Sequence, residues 1–248
     1  MYAVYMLWKR QIIKFWRSKS RVLGTVLQPL LYLLALGYGL GSIVHRGGGG
    51  NYLNFLVAGV MAQTLLFSAF FWGMNILFDK RFGFLKETAV APISRFQLLV
   101  GNVLGGATIS LIQALIVFVV ALVLGFRPSD IWQVPLAFAS MALLATALCS
   151  FSAGIAARME DIQGFQAVNN FLVFPLMLFS GVLYPLSGAP RWLQFIGNIN
   201  PISYAVDGAR ATLIGQSHFG LGVDLAVMGA VALATIAFAT YQFKKLQA

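Results

Sequence analysis

Residues 96–126 read FQLLVGNVLGGATISLIQALIVFVVALVLGF, with no Asp, Glu, Lys, Arg or His between Arg95 and Arg127. At 1.5 Å of rise per helical residue, such a run exceeds the ~30 Å hydrocarbon core of a bilayer. It is continuously apolar rather than alternating. In lipid only helices and closed barrels satisfy their own backbone, so the stretch reads as a transmembrane helix. Outward from it, five more charge-free runs lie between Arg21 and His45, Arg46 and Asp79, Asp130 and Arg158, Asp161 and Arg191, and Asp224 and Lys244. The shortest still reaches roughly 28 Å as a helix. Of 248 residues, 59% are hydrophobic and 10% charged, against about 25% charged in a soluble domain. A water-soluble fold could not hide that apolar surface.

The expected fold class is all-α integral membrane, with six transmembrane helices at about 22–44, 55–78, 98–124, 131–156, 165–186 and 225–243. Residues 1–21 precede this 22–248 transmembrane domain as a cytoplasmic interfacial helix. There Met1, Tyr5, Trp8, Ile12, Phe15 and Trp16 fall on one side of a helical wheel and Arg10, Lys14 and Arg17 on the other, the pattern of a helix lying in the membrane interface. The basic residues are interleaved with aromatics and no small-residue cleavage site follows, which excludes a signal peptide. Pro29, Pro135 and Pro175 are expected to kink their spans. Thirteen of the 17 Lys and Arg fall on the N-terminus, the loop at 79–97, Arg158 and the C-terminus; four fall on the other side. The positive-inside rule places both ends in the cytoplasm. The net charge of +10 is thus a topology signal and an attraction to anionic lipid, not a sign of nucleic acid binding.

Several chemistries are excluded by what is missing. Cys149 is a lone cysteine, and His45 and His218 both fall at outer ends of spans with no paired His, so neither a disulfide framework nor a zinc site is expected. No Gly-rich loop is followed by Lys and Ser or Thr, so the chain cannot cradle a nucleotide in the usual way. The spans hold no carboxylate at mid-depth for ion coupling. Asp224, the nearest, reads as a solvated carboxylate at a helix start. Active transport would therefore need a partner engine.

Two loops carry the remaining signal. Residues 79–97, DKRFGFLKETAVAPISRFQ, hold a short amphipathic stretch stopped by Pro92, suited either to docking in a partner's groove or to lying solvated on the surface. Residues 180–210, SGVLYPLSGAPRWLQFIGNINPISYAVDGAR, place Pro190 and Pro201 to start short helices, with Asn200 as an N-cap. These helices are too apolar for an exposed loop and read as dipping back into the outer leaflet, or as an interfacial loop with an aromatic belt. Asp207 and Arg210, three apart, are placed to pair on one helix face.

At these stretches, and at QPLLYLLALGYGLG in the first span, the sequence resembles the type-2 ATP-binding-cassette (ABC-2) exporter permeases, in the branch with daunorubicin-type drug exporters and nodulation lipo-oligosaccharide exporters. The resemblance covers nearly the whole chain. It implies a permease of the bacterial or archaeal cytoplasmic membrane that forms a homodimer and binds cytoplasmic ATPase subunits through its second-loop coupling helix: Phe84, Leu85, Lys86, Glu87, Thr88, Ala91 and Pro92. It implies an outer gate at Asn200, Pro201, Tyr204, Asp207 and Arg210. ATP and Mg would sit on the ATPase, with no cofactor on this chain. Gln28, Gln63, Asn75, Gln113, Asn169 and Asn170, the polar residues within the spans, are candidates to line a path for drugs, lipids or lipid-linked glycans, or else to join helix to helix. A channel or facilitator without an ATPase, and less readily an intramembrane enzyme, are the rival readings.

Overall fold

The computed structural model describes residues 2–40, 52–83 and 94–245. Among them all regular structure is helical. The basic, aromatic N-terminal segment forms α1 (Tyr2–Arg17), and α2 (Lys19–Tyr32) follows after Ser18. Pro29 lies inside α2, where it removes a backbone donor, and the ladder then widens into a π-helix at Leu33–Leu40. The long apolar runs form α3 (Tyr52–Arg81), α4 (Arg95–Val123), α5 (Val134–Arg158, led by a 3-10 turn at Ile131–Gln133) and α6 (Ile162–Leu178). Two short helices, α7 (Arg191–Ile199) and α8 (Pro201–Ile214), precede α9 (Leu221–Lys244).

Four of these segments, Tyr52–Arg81, Arg95–Val123, Ile131–Arg158 and Leu221–Lys244, are long and apolar enough to cross a membrane. Helix α6 falls just short at 17 residues, ending eight residues before the expected boundary at 186. Pro175 withholds a donor in its last turn, and Gly181 takes a φ of 68° that reverses the chain. Pro135 is a second departure. It lies in the first turn of α5, where a missing N–H costs nothing, so it starts that helix instead of kinking it. Side-chain caps mark other starts: Ser94 and Gln97 form a reciprocal capping box at α4, and Asp161 accepts from the backbone N–H groups of Gln163 and Gly164 at α6.

Helix α5 sits centrally, packed against α3, α4, α8 and α9. Helix α1 docks along α4. Leu7, Gln11 and Phe15 are buried while Tyr2, Tyr5 and Trp16 stay exposed. The cause is on α4: a Cβ on Gly101 would stand 2.8 Å from the Leu7 Cβ, and one on Gly105 2.9 Å from the Gln11 Cβ. These glycines form the groove that α1 enters. Gln11 Nε2 donates to Asn102 Oδ1 at 2.7 Å, and Trp8 Nε1 to Thr108 Oγ1 at 3.1 Å. Tyr5 and Trp16 are left facing outward, as an interfacial helix presents them to lipid.

The basic residues gather at one end of the bundle. Asp79, in the last turn of α3, lies 3.4 Å from both Arg10 and Lys14 of α1. Lys80 Nζ donates to the carbonyls of Ala157 and Met159 at the end of α5, and Arg95 Nη1 to the carbonyl of Lys244 at the end of α9. Cations here supply donors that helix C-termini lack.

Candidate functional site

At the opposite end, α8 is locked beneath the turn that follows α6. Asn200 joins two helix ends: its Oδ1 accepts from Ile202 N–H at the start of α8, and its Nδ2 donates to the Leu176 carbonyl in the last turn of α6 at 2.7 Å. Pro201 occupies the first helical position, where no donor is needed. One turn from the other end of α8, Arg210 is 8% exposed. Its guanidinium donates to the carbonyls of Phe55 (3.2 Å), Gly181 (2.9 Å) and Val182 (3.1 Å), and lies 3.5 Å from the centre of the Phe55 ring. Tyr52, at the start of α3, adds a bond from its hydroxyl to the Leu183 carbonyl at 2.9 Å.

Asp207 and Arg210 do not bond to each other as expected. The Asp207 carboxylate instead accepts from Ser217 Oγ (3.1 Å) and from the N–H groups of His218 and Phe219, 2.8–2.9 Å away. It ties the loop before α9 to α8 just as Arg210 ties the loop after α6. Tyr204 donates to the Asn198 carbonyl and stacks on Phe219 at 4.5 Å. The five residues expected at an outer gate are thus all brought into one buried or half-buried latch. Asp224 joins them and overturns its reading as a solvated carboxylate. It is fully buried against Gly208 and the Ser140 region, and neither oxygen has a hydrogen-bond partner among the described residues.

A cavity of about 550 Å³ opens between α1, α2, α3 and α4. Gln63, Asn75 and Gln113 all line it, together with Thr64, Ser68 and the aromatic rings of Phe67, Phe71 and Trp72. Three of the six polar path candidates therefore converge. Asn169 and Asn170 lie on α6, away from this lining, and the side chain of Gln28 is outside the described residues. Gln63 is 3% exposed, and neither its amide oxygen nor its nitrogen has a partner among the described residues. Asn75 Nδ2 bonds back to the Phe71 carbonyl, and Thr64 Oγ1 to that of Val60. The expected coupling residues, Phe84 to Thr88, Ala91 and Pro92, lie outside the described residues. Their flanks are Asp79 in its clamp with α1 and the capped start of α4.

Sequence reasoning did not find Tyr52, the Gln11–Asn102 bond, or the aromatic wall of the cavity. Each depends on which face of an almost wholly apolar helix turns inward, which composition leaves open.

A family model described as "ABC-2 type transporter" matches residues 2–214, from α1 to the end of α8. The chain belongs to the ABC-2 type transporter family. It is 30% identical over 210 residues to a putative transport permease, ycf38, of Cyanophora paradoxa, covering 84% of this chain and 72% of the relative. It is also 26% identical over 237 residues to nodulation protein J of Sinorhizobium fredii, covering 90% and 83%, and 26% identical over 234 residues to that of Rhizobium meliloti, covering 88% and 82%. As an ABC-2 chain it is a multi-pass membrane component of a transporter. The matched region contains the cavity and the α8 side of the latch, while the loop residues Ser217, His218 and Phe219 and the buried Asp224 lie beyond it.

Proposed function

We propose that the chain is the permease subunit of an ABC exporter, which moves a hydrophobic or amphipathic substrate outward using ATP hydrolysed, with Mg, on a separate cytoplasmic ATPase. The observation that carries this reading is the cavity at mid-depth of α3 and α4 in a chain of the ABC-2 family: a transporter's membrane component with room for a small molecule inside its helices. In this reading α2 and α6 complete six spans, both termini are cytoplasmic, and two copies form a homodimer in a bacterial or archaeal cytoplasmic membrane. The loop at 79–97 meets the ATPase through Glu87 and its neighbours. The latch around Asn200 and Arg210 closes the outer side, with α7 and α8 as re-entrant helices.

The test is reconstitution. The purified chain alone is expected to hydrolyse no ATP. Co-expressed with its ATPase, it is expected to co-purify with it and to drive ATP-dependent export of a hydrophobic dye in inverted vesicles, while Glu87→Lys weakens co-purification at unchanged membrane level. Hydrolysis by the chain alone, or transport that ignores ATP, would replace the exporter with an autonomous pump or a facilitator.

A further inference from the structure

The cavity has properties that narrow its occupant. Its wall on α3 runs from Val60 to Asn75, a length of roughly 22 Å along the helix. About 550 Å³ drawn out over that distance is a slot, the shape of one extended chain. Most of the lining is apolar and aromatic. Among the described residues, the lining includes no Asp, Glu, Lys, Arg or His. A phosphate or carboxylate bound there would lose its hydration with no cation among these residues to replace it.

A pure hydrocarbon is an equally poor match. Gln63 is buried, and its carbonyl and amide groups both lack partners among the described residues. Buried polar groups are ordinarily satisfied, and an orphan marks a place where a ligand or water completes the set. Gln113, also buried, lines the slot from α4. An amide offers donor and acceptor together, so the matching ligand group is an ester, amide or hydroxyl.

We propose that this slot binds a neutral, single-chain amphiphile: an acyl or prenyl chain lying along α3, with an uncharged ester, amide or hydroxyl head hydrogen-bonded by Gln63 and Gln113. This rests on the exporter reading and gives its substrate class. An anionic lipid-linked head would find no cation among the described lining residues.

Trp72 lines the slot and supplies the readout. The full chain in phosphatidylcholine nanodiscs, without any ATPase, would be titrated with a monoacylglycerol carrying a 9,10-dibrominated chain, which quenches tryptophan on contact, and separately with the lysophosphatidate of the same chain. The same titrations on Trp72→Phe subtract quenching of the other tryptophans by probe dissolved in the lipid. The expected result is a saturable, Trp72-dependent component for the monoacylglycerol and at least tenfold weaker binding of the lysophosphatidate. Gln63→Leu or Gln113→Leu should raise the dissociation constant for the monoacylglycerol by about 5- to 10-fold, the loss of one or two net hydrogen bonds. Gln63→Leu removes an unpaired buried amide, so the fold tolerates it, and an unchanged thermal midpoint confirms that. Equal or tighter binding of the lysophosphatidate, no saturable component, or unchanged affinity in both variants would overturn the proposal. Because no ATPase is present, a negative result leaves ATP-driven export standing, and a failed ATPase pairing leaves the binding result standing.

Discussion

Arg210 directs its guanidinium to three backbone carbonyls, not to a carboxylate, and that choice sets its importance. The carbonyls of Gly181 and Val182 belong to the turn after α6, and that of Phe55 to the first turn of α3. Only a planar fork of donors reaches all three at once. Hydrogen bonds to a charged group contribute roughly 1.5–3 kcal/mol each, and a buried acceptor left alone costs about 1–3 kcal/mol. Arg210→Met should therefore lower the thermal midpoint of the detergent-solubilised protein by several degrees, with Arg210→Lys recovering only part of the loss. A wild-type midpoint for Arg210→Met would remove the latch from any account of stability. The sequence pointed to Arg210, Asp207 and Asn200, because charged and capping residues stand out in an apolar stretch. It misread their partners: Asp207 and Arg210 are spaced to pair on a helix, yet each reaches a different loop. Asp224 was misread for the same reason, since burial of a first-turn residue depends on α8 packing over it.

Helix α1 shows what an amphipathic pattern leaves undecided. Its sequence announced a helix with an apolar and a basic face, and both exist, but the buried stripe is Leu7, Gln11 and Phe15. The glycines of α4 select that stripe. Gly101 and Gly105 are a small-residue pair four apart, a spacing that permits close packing without saying of what. A branched side chain at Gly105 would meet the Gln11 side chain from 2.9 Å, and Gln11 cannot move without giving up its bond to Asn102. Gly105→Val should thus lift α1 from its groove. The expected outcome is faster amide hydrogen exchange across residues 5–14, with exchange in α5 unchanged. Unaltered protection of α1 would show that the groove does not hold it. The early end of α6 has a comparable origin. Hydropathy runs on past Leu178, so a charge-based boundary overshoots, while Pro175 and the left-handed Gly181 end the helix by backbone geometry.

At the scale of the molecule, the six charge-free runs all become helices in the described residues, and the distribution of cations gives the bundle two unlike ends. Lys80 and Arg95 donate to backbone carbonyls at helix ends on one side, where Arg158 donates to the Gln242 side chain and Arg10 and Lys14 clamp Asp79. Tyr52, Arg210 and the turn after α6 occupy the other. Placing a cation on the far side of a membrane during insertion is disfavoured near span ends, so the basic end is expected in the cytoplasm. Ser94 and Ser187 are exposed residues belonging to opposite ends, and Cys149 is buried. In a Cys149→Ser background, a membrane-impermeant maleimide applied to intact cells should label Ser187→Cys and leave Ser94→Cys unlabelled until the membrane is opened. The two substitutions lie in a 3-10 turn and at a helix cap, so neither disturbs the core, and labelling after lysis reports that both thiols are reactive. Labelling of Ser94→Cys from outside would invert the bundle. The loop at 79–97 would then face away from any cytoplasmic ATPase, and the exporter reading would fall with the orientation.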